Sequence, residues 1–186
     1  MKILYIIPGF GHSKSNKNYL KISHLFPNTK SIVININWKN KVFSDYINDT
    51  RKQFIHKKSD EVYLLGFSFG AIIALMLASK VKPKKLFLCS ISPYFSEDIP
   101  KMKNSWKSWF GKKRIEDIKK YNFNKITKQI KSNTIILAGD KEGKQLLLRS
   151  KEANKKIKNS KLIIIINGKH NLFQEEYLNA LRNYPK

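Results

Sequence analysis

A single cysteine, Cys89, excludes an intrachain disulfide and any zinc site of the CxxC type, and it suits a reducing, bacterial-type cytoplasm. Long apolar runs are also missing. Leu162 to Ile166 and Ala71 to Ala78 fall far short of the ~20 residues that a membrane-spanning helix needs. The apolar stretch behind Lys2 is too short for a signal peptide and runs into Pro8-Gly9 rather than a small-residue cleavage site, so it reads as a strand. Arginine is scarce: Arg51, Arg114, Arg149 and Arg182 are the only four, and the remaining 33 of the 37 cationic residues are lysine. Against 13 acids these give a net charge of +24. The lysines are spread along the whole chain and accompanied by abundant Asn and Ile, the pattern that A/T-rich codons produce. Phosphate recognition would cluster them and would use arginine for bidentate contacts, so nucleic acid is disfavoured as a partner. No group of His, Asp and Glu has metal-ligand spacing, and Pro8-Gly9-Phe10-Gly11 lacks both the dinucleotide spacing and a following GK[ST]. Neither metal nor cofactor is expected.

What is present is an alternation of short β-branched runs with longer amphipathic stretches, the pattern of a parallel sheet flanked by helices. Strands are expected at Lys2 to Ile7, Ser31 to Ile36, Glu61 to Gly66, Lys85 to Ser90, Thr134 to Ala138 and Lys161 to Ile166. Most are apolar on successive residues, as strands covered on both faces should be. Helices are expected around Asn18 to Leu25, Ser44 to His56, Phe69 to Lys80, Lys144 to Ile157 and Gln174 to Leu181, with Ser44 as an N-cap followed by the first-turn acid Asp45. At 186 residues, with no internal repeat or low-complexity linker, the chain reads as one α/β domain, a three-layer sandwich about a six-stranded, mainly parallel sheet. Residues 94–131 are too long for a simple crossover and form an insertion rich in lysine and aromatics.

The string Gly66-Phe67-Ser68-Phe69-Gly70 falls where the strand from Glu61 meets the helix from Phe69. A strand turning sharply into a helix strains the serine's backbone, leaves room only for very small residues two positions either side, and pushes the hydroxyl out above the sheet. An ordinary tight turn is the alternative. The GxSxG string in this setting resembles the α/β-hydrolase superfamily. That resemblance implies a histidine and a carboxylate in the order Ser, acid, His, from loops after two later strands. Asp140 follows one such strand and His170 follows the next. Singly, Asp140 is equally well a turn acid or helix cap, and His170 a loop histidine. Together they are expected to converge with Ser68 as a catalytic triad. Glu142 is the rival acid; Asp140 is preferred because it follows the strand with less slack, and Glu97 and Asp98 rank third.

The resemblance also implies two backbone donors for an oxyanion: the N–H of Phe69, just after the serine, and one from the loop after the first strand, with Phe10 preferred and Gly11 next. The family's frequent His-Gly pair is Pro8-Gly9 here. The first strand matches the one that carries this loop, so the two strands preceding it in larger members are missing. Gly11, His12, Trp106, Trp109 and Phe110 are candidates for the substrate pocket, although for His12 a solvated loop residue is the favoured reading. His24 and His56 fall on helical stretches as structural or exposed residues. The insertion stands where the family carries its cap, and its tryptophan and lysine mixture also suits a membrane interface, the less favoured reading. The function implied is a small cytoplasmic esterase or thioesterase acting on a small or carrier-bound acyl substrate, an acidic carrier protein being one source. The alternatives are an acyltransferase with the same triad and a non-catalytic protein binding anionic partners.

Overall fold

The computed structural model describes residues 1–184. Six strands, β1 (Lys2–Ile7), β2 (Lys30–Val33), β3 (Glu61–Phe67), β4 (Lys85–Cys89), β5 (Asn133–Gly139) and β6 (Ser160–Ile165), form one sheet in the order β2-β1-β3-β4-β5-β6. Every neighbouring pair is parallel. Helices α1 (Asn18–His24), α2 (Phe43–Lys52), α3 (Phe69–Val81), α7 (Lys144–Lys156) and α8 (Glu175–Arg182) join them. Within the insertion lie a 3-10 turn (Ser96–Lys101) and three short helices, α4 (Asn104–Phe110), α5 (Lys112–Ile118) and α6 (Phe123–Thr127).

The unbroken apolar strands follow from two cores. Ile3, Tyr5 and Ile7 of β1 face α2 and α3, while Leu4 and Ile6 face α1. In β3, Leu64 joins the first core and Tyr63, Leu65 and Phe67 join the second, which α8 closes with Tyr177, Leu178 and Leu181. Because side chains alternate across a strand, cover on both faces demands apolar residues at every position. Helix α3 is buried from Phe69 to Ala78, enclosed by the sheet, α2 and α6.

Several boundaries differ from those expected; α2, for one, ends at Lys52, so His56 lies beyond the helix instead of on it. Strand β2 stops at Val33 rather than Ile36: β1 turns away at Pro8, Ile34 donates the last ladder bond to the Ile6 carbonyl, and the Asn35 N–H is taken by the Gln53 side chain at 2.9 Å. Helix α2 starts at Phe43, and the Asp45 carboxylate accepts from the Val42 N–H at 3.0 Å. Ser44 is therefore not the N-cap.

The chain leaves β1 for β2 on one side, then returns to place β3 on the other. Loops after β1 and β3 diverge at this reversal, and the crevice outside their carboxyl ends is where open α/β sheets hold ligands.

Candidate active site

Ser68 occupies the junction of β3 and α3 with φ 56° and ψ −116°, a conformation costly for a residue with a side chain. Packing enforces it. A Cβ on Gly70 would lie 2.1 Å from the Ile7 carbonyl oxygen, and one on Gly66 would lie 2.3 Å from the Gly70 carbonyl oxygen. The glycines let α3 press against β1 and against the strand that feeds it. The Ser68 N–H is held by the Cys89 carbonyl at 2.9 Å. Cys89 itself is fully buried, and burial pushes its thiol pKa up, which keeps it an unreactive thiol.

His170 meets the serine as expected. Its Nε2 lies 3.0 Å from Ser68 Oγ, and its ring packs on Phe67 with centroids 4.9 Å apart. The loops after β5 and β6 touch at backbone level, where a Cβ on Gly139 would lie 2.2 Å from the Gly168 carbonyl oxygen.

The acid beside the imidazole is Glu142, not Asp140. Glu142 Oε2 lies 3.0 Å from His170 Nδ1, and the Glu142 side chain is fully buried. Its Oε1 accepts from the Gly139 N–H at 2.7 Å and from Ser90 Oγ at 2.9 Å. Tyr177 of α8 supports the same corner, its hydroxyl 2.7 Å from Ser90 Oγ and accepting from the Gly139 N–H at 2.8 Å. Asp140 directly follows β5 and keeps one more bond across to β6, its N–H donating to the Ile165 carbonyl at 3.1 Å. Strand alternation gives it the parity of Ile136, which faces α3, whereas Phe67 and the imidazole on it belong to the opposite side. Asp140 Oδ1 is buried without a hydrogen-bond partner among the described residues. The third-ranked acids are used elsewhere: Glu97 accepts from the Phe123 and Asn124 N–H groups, and Asp98 pairs with Arg149.

A cavity of about 750 Å³ opens over Ser68. Phe10, Phe67, Phe69, Tyr94, Trp106 and Trp109 form its walls, with Ser92 and Leu146 among the rest. Burial, with a smaller push from Asp98, raises the Tyr94 phenol to about 12, so it stays a neutral hydroxyl. Phe10 packs between Phe69, tilted at 5.2 Å, and Trp109, edge-on at 5.1 Å, tying the loop after β1 to the insertion. His12 lines the cavity, with Nδ1 3.0 Å from the Tyr19 hydroxyl; burial lowers its pKa, and the nearby His170 lowers it further. Two pocket candidates do not line it. Gly11 sits in a neighbouring cavity, and Phe110 is buried behind the wall against Phe69 and Tyr94. Ser90, Ser92 and Tyr177 were not singled out from the sequence; the signal for the two serines is their place just beyond the carboxyl end of β4.

Sheet order, the strained serine and the loops gathered at one edge together define the α/β-hydrolase fold. Among solved structures the chain is similar to Est1E from Butyrivibrio proteoclasticus with ferulic acid bound, at a TM-score of 0.80 and 14% identity over 100% of this chain and 87% of that one. Mouse alpha/beta hydrolase domain-containing protein 10 gives 0.79 and 11% over 97% and 86%. The esterase EaEST from Exiguobacterium antarcticum gives 0.73 and 16% over 100% and 92%. No protein-family model and no curated protein matches the sequence. Among the described residues no helix is long and apolar enough to cross a membrane.

Proposed function

We propose that the protein is a serine hydrolase that cleaves carboxylic ester or thioester bonds through an acyl-enzyme on Ser68. The observation that carries this reading is the unbroken relay from Glu142 Oε2 to His170 Nδ1, and from His170 Nε2 to Ser68 Oγ, each step 3.0 Å. Glu142 fixes the tautomer, with hydrogen on Nδ1, so that Nε2 is free to take the serine's proton. Ser68 Oγ bonds to the acyl carbon as its proton passes to Nε2. That proton then goes to the departing oxygen or sulfur as the scissile bond breaks.

The oxyanion formed on the way needs donors. The N–H of Phe69 fits this role, because the first residues of a helix have no intrahelical partner for their N–H groups and carry the positive end of the helix dipole. Phe10 supplies the second donor from the facing loop. Each such donor contributes about 3 kcal/mol to the transition state. Six aromatic walls suit a flat, apolar acyl group, in keeping with the bound ferulic acid and the esterase names among the structural neighbours.

A panel of 4-nitrophenyl esters and acyl thioesters of graded size tests the reading. Turnover of at least one series is expected, with kcat reduced about 10⁴-fold or more in Ser68→Ala. Turnover that survives in Ser68→Ala would refute it.

A further inference from the structure

A second hydroxyl lies against the nucleophile. Ser92, three residues past the end of β4, places its Oγ 3.1 Å from Ser68 Oγ and is 4% exposed. Its own carbonyl accepts from the Tyr94 N–H at 3.1 Å, which pins the loop. Proton accounting fixes the direction of the Ser92–Ser68 bond. An ionised Glu142 only accepts, so the hydrogen between it and His170 sits on Nδ1, and Nε2 is then an acceptor. Ser68 has one hydrogen, and it goes to Nε2. Toward Ser92, therefore, Ser68 Oγ accepts and Ser92 donates.

We propose that Ser92 is a catalytic residue of deacylation, its hydroxyl stabilising Ser68 Oγ as the leaving group when the acyl-enzyme breaks down. This rests on the serine-hydrolase reading above. During acylation Ser68 Oγ starts as a hydroxyl oxygen, a good acceptor. It ends as an ester oxygen whose lone pair is drawn into the carbonyl. The bond from Ser92 weakens along that path and gives acylation no help. Deacylation runs in the opposite sense. Water oxygen bonds to the acyl carbon and one of its protons passes to Nε2. The bond between carbon and Oγ then breaks, its electron pair returns to Oγ, and the proton on Nε2 follows. Oγ gains basicity toward this transition state, and the Ser92 bond strengthens with it. A donor that binds the transition state better than the ground state accelerates the step it serves.

The test is stopped-flow and steady-state kinetics on a 4-nitrophenyl ester that the unaltered protein turns over with a burst of 4-nitrophenol, the sign that deacylation limits kcat. In Ser92→Ala, kcat is expected to fall by about 10-fold, the size of one lost hydrogen bond to a charged oxygen. KM should fall by the same factor, so that kcat/KM is maintained. The burst of 4-nitrophenol should keep its rate while the steady rate after it falls, and intact mass should show the acyl group resident on the protein. Ser92→Thr, which keeps the hydroxyl, should restore the steady rate that follows the burst. If Ser92→Ala does not fold, Ser92→Cys, a near-isosteric weak donor, should show the same joint fall. A drop in kcat/KM with a slowed burst would mean that Ser92 merely shapes the site, and unchanged kinetics would mean that it does nothing; either overturns the proposal. Absence of turnover in the unaltered protein, with no acyl adduct formed, would instead bring down the serine-hydrolase reading and the proposal with it.

Discussion

At the scale of single residues, the carboxylate of the relay is held by what it accepts. Glu142 receives the Gly139 N–H and the Ser90 hydroxyl on one oxygen and turns the other to His170. Replacing it by glutamine removes the charge that balances an imidazolium, and Glu142→Gln is expected to lower kcat/KM by about 10²- to 10⁴-fold on any ester the protein cleaves. Asp140→Asn should change it by less than about threefold. The opposite ranking would give the role back to Asp140. Ser68 was legible in the sequence because the glycine spacing around a strand-to-helix serine is dictated by backbone contact, and His170 because the α/β-hydrolase resemblance implies a histidine after a later strand. The acid was not. Proximity to the strand end favoured Asp140, but that residue makes one more sheet bond, so the pleat fixes its side, and only after it does the turn bring a longer side chain back. Ser92 and Tyr177 were illegible for a simpler reason. Nothing local marks a serine or tyrosine whose partner lies 24 or 87 positions away.

At the scale of elements, the insertion is tied down by buried polar contacts more than by regular structure. Asp117 of α5 accepts from the Ser44 N–H and hydroxyl at 2.7 and 2.6 Å and pairs with Lys120 at 2.7 Å. Glu97 receives the first N–H groups of α6, and Arg149 of α7 stacks on Phe123 while pairing with Asp98. Burial alone would raise both carboxyls. Lys120 and Ser44 outweigh it for Asp117, and the Phe123 and Asn124 N–H groups do so for Glu97, so both stay ionised below the usual carboxylate range. A depressed folded pKa gives stability that is present above the unfolded value of about 4 and lost as pH falls through the folded value. Hydrogen exchange corrected for intrinsic rates should therefore show residues 96–127 protected equally above about pH 5 and loosening below about pH 4, ahead of the sheet. Asp117→Asn should loosen the same segment already at neutral pH. Equal loosening of segment and sheet would contradict this. The segment's anchors were not legible, because they join elements far apart in the chain.

For the molecule as a whole, two apolar cores fix six parallel strands, and the reversal between β1 and β3 gathers the loops that carry Phe10, Ser68, Ser92, Glu142 and His170 along one edge. This architecture was the most legible level, since strands covered on both faces leave an apolar run and the helices between them keep their period. The lysine-rich surface took no part in that inference and none in the relay. The claim that matters is that this edge makes one serine nucleophilic among the 16 in the chain. Treatment of the folded protein with a fluorophosphonate, followed by peptide mapping, tests it most directly. One adduct per chain on Ser68, abolished in Ser68→Ala, is the predicted result. A natively folded protein that takes no adduct, or takes it on another serine, would contradict it.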